Sequence, residues 1–270
     1  MPKINVLVDS NTIIDKYFLG EPALSFLINY QSKKILFDTG YSDVFLKNAK
    51  NAKLNLDDID YIVLSHGHND HTGGLSHLIS LFKDKEKKPK IIAHPDIFLS
   101  RFDDKGDFGC PLSKESLEKV FDLNLHKEPY FLTDNIIFLG EIPRRNDFEG
   151  KNSVGIQKIS NMPDYVMDDS ALILKRHDGI IIVVGCSHSG ISNICEYAKE
   201  ITKTNKIISV IGGLHLKKSS IEHINKTANY IETLNLNSLY ACHCTGLKAQ
   251  CIFDRITNLK EVGSGLEIKI

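Results

Sequence analysis

Four times along this chain an apolar, strand-like run stops at a histidine. Tyr61–Leu64 gives way to Ser65-His66-Gly67-His68 and Gly179–Val184 to Gly185-Cys186-Ser187-His188. Lys206–Ile211 runs into Gly212-Gly213-Leu214-His215, and Ser238–Ala241 into Cys242-His243-Cys244. Short runs rich in β-branched and aliphatic residues, bounded by Gly and Ser, read as strands. Helical periodicity follows over Leu75–Phe82, Ile191–Ile201 and Ser220–Leu234. Strands that alternate with helices predict a layered α/β fold. In such folds the loops beyond the strand C-termini are the usual place for ligands. The histidines are therefore expected where a ligand binds.

The remainder fits the same scaffold. Ile4–Asp9, Ala23–Tyr30, Lys34–Phe37, Lys90–Ala93, Ile136–Leu139 and Ser170–Lys175 read as strands, and Asp43–Ala49 as a helix. From about 97 to 133 the pattern is irregular, with Gly106, Gly109, Pro111 and Pro129 around one helix at Ser113–Val120. This reads as an insertion packed on the scaffold, of the kind that shapes a substrate pocket. No repeat or linker divides the 270 residues, so one domain over 1–270 carrying that insertion is expected. Lys+Arg 33 against Asp+Glu 34 gives net charge −1, which argues against a nucleic-acid binder relying on bulk electrostatics. No apolar run approaches the roughly 18 residues that span a bilayer, so no membrane partner is expected. The first residues, Met1 to Asp9, lack the features of a signal peptide. A cytoplasmic protein with reduced cysteines is the expectation.

The stretch Ser65-His66-Gly67-His68-Asn69-Asp70-His71-Thr72-Gly73-Gly74 is the most informative. A lone loop histidine reads as solvated, but here three imidazoles and a carboxylate fall within six residues after an apolar strand. They must converge on something or repel. The donor types suit a borderline divalent metal such as Zn, Fe or Mn. Gly67, Gly73 and Gly74 are expected to let the backbone turn sharply and admit the following helix.

On this H-x-H-x-D-H motif, on Asp38-Thr39-Gly40 after an early strand, and on the strand-end histidines, the chain resembles the metallo-β-lactamase superfamily. Further stretches resemble its branch of dihydropterin-ribofuranosylaminobenzene-phosphate synthase-like hydrolases. They are Gly140-Glu141-Ile142-Pro143-Arg144, Asp168-Asp169-Ser170, Gly185-Cys186-Ser187-His188-Ser189-Gly190, Gly212-Gly213-Leu214-His215 and His243-Cys244-Thr245-Gly246. The resemblance implies a four-layer αββα sandwich with two divalent metal ions in a cleft. By analogy His66 and His68 hold one ion, while Asp70 and His71 hold the other. His243 is the implied C-terminal ligand. The superfamily also adds a third ligand to the first ion and a bridging Asp, but here Gly185-Cys186-Ser187-His188 stands where that Asp is expected, and three candidates could fill these vacancies: His188, Asp169 and Cys186. Asp169 also reads as a turn cap, and Cys186 as a small buried hydrophobe. His94 and His215 are expected to border the site. His77, His126, His177 and His223 read as solvated, and Cys110, Cys195 and Cys251 as packing residues.

The chemistry implied is hydrolysis by a water that the metals activate as hydroxide, zinc first with Fe or Mn admissible. Asp70, His66 and His68 are its catalytic residues, and no G-x-S-x-G elbow offers a covalent route. Ser187, Ser189 and Gly190, and Thr245 with Gly246, offer hydroxyl and N–H groups to an anion. Arg144, Arg145 and Lys151 are placed to bind phosphate, although they read equally as surface charges. An anionic, phosphorylated small molecule is the expected substrate, with Phe102, Phe108, Tyr130 and Phe131 available for stacking. Two other classes stay open, a di-iron oxidoreductase-like protein and a non-catalytic metal- or ligand-binding sensor on the same scaffold.

Overall fold

Runs that are apolar without interruption become strands with nearly every residue buried. In the computed structural model, which describes residues 1–270, β1 (Lys3–Val8), β2 (Ser25–Tyr30) and β3 (Lys33–Phe37) form an antiparallel meander. Helix α1 (Val44–Asn51) leads to β4 (Tyr61–Val63). Helices α2 (Asn69–Thr72) and α3 (Leu75–Phe82) then lead to β5 (Lys90–Ala93). Two short strands, β6 (Arg101–Asp103) and β7 (Gly106–Asp107), precede α4 (Lys114–Glu118) and β8 (Asp122–Leu125). Next come β9 (Tyr130–Thr133), β10 (Ile136–Phe138), β11 (Ile156–Gln157), β12 (Ala171–Arg176) and β13 (Gly179–Val184). The chain closes with α5 (Ile191–Thr202), β14 (Ile207–Gly213), α6 (Ile221–Thr233), β15 (Ser238–Cys242), α7 (Leu247–Phe253) and β16 (Glu267–Lys269).

These elements pack as two compact units, each discontinuous in sequence. The first holds Met1–Lys127, Val154–Asp164 and Val262–Ile270, and the second Glu128–Ser153 and Tyr165–Glu261. The first unit's seven-stranded sheet has the order β16-β1-β2-β3-β4-β5-β8, with β3, β4, β5 and β8 parallel. Its helices pack through apolar stripes at helical spacing. Phe45 and Ala49 of α1, and Leu75, Leu78 and Phe82 of α3, share a core with Leu36, Ile62 and Ile91 of the sheet. A small sheet of β11, β6 and β7 completes this unit.

The second unit's six-stranded sheet runs β15-β14-β13-β12-β10-β9, with β13, β14 and β15 parallel. Ile191, Ile194, Cys195 and Ala198 of α5, and Ile224, Ala228 and Ile231 of α6, pack on Ile173, Ile182 and Val210. Parallel neighbours end at one sheet edge. The loops after β3, β4 and β5 therefore share an edge in the first unit, as do those after β13, β14 and β15 in the second.

The stretch from about 97 to 133 is more regular than expected. It contains β6 to β9; β8 extends the first sheet beside β5, and β9 edges the second. Its helix shrinks to Lys114–Glu118, capped by Ser113 Oγ accepting the Ser116 N–H. β8 is exposed or half-buried along its whole length, so it carries no apolar run to announce it. No helix is long and apolar enough to cross a membrane.

Candidate metal centre

The parallel pairing of β3 and β4 sets Asp38, just past one strand, beside Ser65, just past the other. Asp38 is fully buried and adopts φ 55°. A buried carboxylate must be hydrogen-bonded to be tolerated. This one accepts the Ser65 N–H at 2.7 Å, the Ser65 hydroxyl at 2.7 Å and His71 Nδ1–H at 2.7 Å. With Nδ1 so engaged, His71 would offer a metal its Nε2. His66 Nδ1 lies 2.9 Å from Ser65 Oγ. Thr39 clamps the loop from the other side, its N–H and hydroxyl donating to the His71 carbonyl at 2.8 and 3.0 Å.

The sequence-expected donors of this unit come together. The His66 ring lies 4.4 Å from that of His68 and 4.3 Å from that of His71. Asp70 Oδ2 is 3.7 Å from His71 Nε2. His66, His68 and His71 are buried, whereas the Asp70 carboxylate is 28% exposed. Imidazoles this close and this buried repel if protonated, and a divalent cation turns that repulsion into attraction. The set fits a borderline divalent ion.

The glycines act by close approach and not by sharp turning. Gly73 and Gly74 have helical φ of −59° and −70°. A Cβ at Gly73 would lie 2.2 Å from the Tyr41 carbonyl, and one at Gly74 2.2 Å from that of Thr39. At Gly67 it would lie 2.2 Å from the Ile97 carbonyl and 2.4 Å from Arg101 Nη1. Arg101 is fully buried, and its Nε donates to Asp164 Oδ2 at 2.5 Å. A desolvated ion pair thus underlies the loop between His66 and His68. Sequence reading missed Asp38, Arg101 and Asp164 as supports. Asp38 carried a signal, an acid at a strand end before Thr-Gly; Arg101 and Asp164, 63 residues apart, carried none. Phe108 packs its ring edge-on to His68 at 4.9 Å.

In the second unit, the ends of β13, β14 and β15 bring together residues 186–188, 213–215 and 243–244. Ser187, His215 and His243 adopt positive φ of 61°, 50° and 52°, a strained state for such residues. The His188 and His215 rings are 4.1 Å apart. Donor atoms of Cys186, His215 and Cys244 lie within 4.8 Å of one another. Asp169 is buried, and its Oδ2 accepts the Ser189 N–H at 2.8 Å and hydroxyl at 2.5 Å, while Oδ1 has no hydrogen-bond partner. Burial raises the Asp169 carboxyl above the usual range, against the opposing hydrogen bonds from Ser189 and the charge of Arg144. A cation at Oδ1 would relieve that cost.

Several expected contacts serve the fold. His94 is buried and caps the turn Pro95–Phe98, Nδ1 accepting the Asp96 N–H at 3.1 Å. The Ser187 hydroxyl donates to the Gly213 carbonyl at 2.7 Å, and that of Thr245 to the Cys242 carbonyl at 2.8 Å. Arg144 donates to the carbonyls of Gly150 at 2.9 Å, Val166 at 3.0 Å and Tyr165, so its fork holds loops together. Arg145 pairs with exposed Glu200, and Lys151 is exposed. Cys195 is buried in the core as expected, but Cys251 is exposed and Cys110 half-buried. His177 is exposed, whereas His126 is half-buried and burial lowers its pKa.

A sequence profile described as the metallo-beta-lactamase superfamily matches residues 19–127. The chain is 36% identical over 267 residues to the 7,8-dihydropterin-6-methyl-4-(beta-D-ribofuranosyl)-aminobenzene-5'-phosphate synthase of Methanocaldococcus jannaschii, covering 93% of this chain and 90% of that protein. It is also 36% identical over 256 residues to the uncharacterized protein MJ0448 of the same organism, covering 94% and 95%. The crystal structure of Tm1679, described as a metal-dependent hydrolase of the beta-lactamase superfamily, superposes with a TM-score of 0.85 at 27% identity over 100% of this chain and 99% of that one.

Proposed function

We propose that this chain, which belongs to the metallo-beta-lactamase superfamily and has its fold, is a metal-dependent hydrolase of a phosphorylated small molecule. The observation that carries this reading is the buried cluster of His66, His68 and His71 anchored through Ser65 and Asp38, with the half-open Asp70 carboxylate beside it. In this reading His66 and His68 hold one ion, and Asp70 and His71 the other. By the superfamily pattern, His188, Asp169 and His243 complete the donor set, with residues 1–270 acting as one domain. Two divalent ions, zinc first, held by these residues would supply the charge to activate a water and to stabilise the oxygens of the scissile ester. Asp70, whose carboxylate is partly open to solvent, would orient that water. Asp38 keeps the His71 proton on Nδ1, so the opposite nitrogen stays a neutral donor.

The phosphorylated substrate class is supported by the relative at 36% identity, whose name carries a ribofuranosyl 5'-phosphate. With Arg144 spent on carbonyls and Arg145 on Glu200, recognition of the anion falls mainly to the ions. No nucleic-acid or membrane partner enters this reading, and the cytoplasm is its setting. The test is elemental analysis and turnover of a panel of phosphomonoesters, phosphodiesters, lactones and thioesters, for the wild type and for His66→Ala with His68→Ala. Phosphoester turnover with bound metal, both lost in the variant, is expected; their retention in the variant would overturn the reading. A second reading, favoured by the same relative being named a synthase, is bond formation at a ribosyl phosphate. Product mass separates the two, since hydrolysis adds the elements of water.

A further inference from the structure

We propose that Cys186, His215 and Cys244 form a binding site for a thiophilic metal ion, built from two thiolates and one imidazole. Its three donors lie within the second unit, and two of them are sulfurs, unlike the imidazoles and carboxylates of the proposed hydrolase centre. The three residues follow the C-terminal ends of adjacent parallel strands, so the sheet itself sets their spacing. Their donor atoms all lie within 4.8 Å of one another. Zinc–sulfur bonds of about 2.3 Å and zinc–nitrogen bonds of about 2.0 Å in a tetrahedron need donors roughly 3.5–3.8 Å apart.

The backbone is built to hold this approach. A Cβ at Gly213 would lie 2.6 Å from Cys244 Sγ and 2.7 Å from the Gly185 carbonyl, so only glycine lets the sulfur sit against β14. His215 donates its N–H to Cys244 Sγ at 3.2 Å, and the Cys244 thiol points to the Cys186 carbonyl at 3.6 Å. Positive φ at Ser187, His215 and His243 turns each loop right at a donor or beside one, and such strain gathers at functional positions. Cys186 is buried, Cys244 half-buried and His215 exposed, so the imidazole is the donor that solvent reaches most readily. Soft sulfur donors select Zn(II), Cd(II) or Cu(I) over the harder ions that carboxylates favour.

Cadmium is the probe, because thiolate-to-cadmium charge-transfer absorption reports sulfur ligation and is silent for imidazole and carboxylate. The full-length protein, kept reduced with its thiols counted, is titrated with Cd(II). Expected is a band saturating at one equivalent per chain, halved or lost in Cys186→Ser and in Cys244→Ser, and unchanged in His66→Ala. His215→Ala, an exposed position that tests the site even if a Cys variant fails to fold, should keep the fold by circular dichroism and bind Cd(II) about tenfold or more weakly. Absence of the band in the reduced wild type would overturn the proposal, as would its full survival in Cys244→Ser. A band lost in both His66→Ala and Cys186→Ser but kept in Cys244→Ser would also overturn it, by assigning Cys186 to the histidine centre.

Discussion

Asp38→Asn keeps the volume of the side chain but removes the charge that accepts three hydrogen bonds. An amide group facing His71 Nδ1 favours the tautomer that protonates Nε2, the nitrogen a metal needs. We expect metal affinity to fall by roughly 10–100-fold with the fold intact, read by competition against a chelating dye; unchanged affinity would show that Asp38 does not position His71. Arg101→Met acts on the same loop from below. It strips Asp164 of its cation in a buried setting, and breaking such a pair costs about 3–5 kcal/mol. Chemical denaturation should show that loss, and should show much of it restored when Asp164→Leu is added. The histidine cluster was legible in sequence because its members lie within one loop. Asp38 was visible only as an acid before Thr-Gly, because its partners depend on the β3–β4 register. The Arg101–Asp164 pair, and the engagement of Arg144 with backbone carbonyls, were not legible, since a guanidinium's partners are set by tertiary packing that no local pattern records.

Helices and strands with strong apolar periodicity were readable almost to their ends, because burial of one stripe decides both identity and extent. Leu75–Phe82, Lys90–Ala93 and Gly179–Val184 form over the expected residues. β16 was not readable: it has three residues of which only Ile268 is buried, and pairing with β1 makes it a strand. That pairing carries a pH signature. Hydrogen bonds from Lys3 and Lys269, with help from Asn5, depress the Glu267 carboxyl to about 2, from an ordinary value of about 4.3. A carboxyl depressed in the folded state adds stability above its unfolded pKa and loses it as pH falls through the folded one. Amide exchange across β16 and β1 should therefore speed up, relative to the rest of the sheet, between pH of about 4 and about 2. Glu267→Gln should remove that step, and an identical step in the variant would assign it to another group. The contribution is small, since the pair sits in solvent.

At the scale of the whole molecule, strand ends marked by histidine were enough to indicate a layered α/β fold. The division into units was not visible, because Val154–Asp164 and Val262–Ile270 return to the first unit after long excursions. The net charge of −1 supplies no global field to draw in an anion, so under the proposed function recognition of an anion would rest on bound ions and local groups. Any ligand that binds the folded chain and not the unfolded one stabilises it by RT ln(1 + [L]/Kd), about 2.7 kcal/mol at 100 Kd and about 4.1 kcal/mol at 1,000 Kd. The histidine cluster gives this a definite address: the rings of His66, His68 and His71 stand 4.3–4.4 Å apart around His66, and without a cation their protonation on acidification is mutually unfavourable. Excess zinc should raise the thermal midpoint of the wild type, and a strong chelator should lower it. Both shifts should shrink sharply in His66→Ala, while Cys244→Ser, which leaves these donors untouched, should keep most of them. A midpoint indifferent to zinc and chelator in the wild type would mean that the cluster holds no ion tightly enough to matter to the fold.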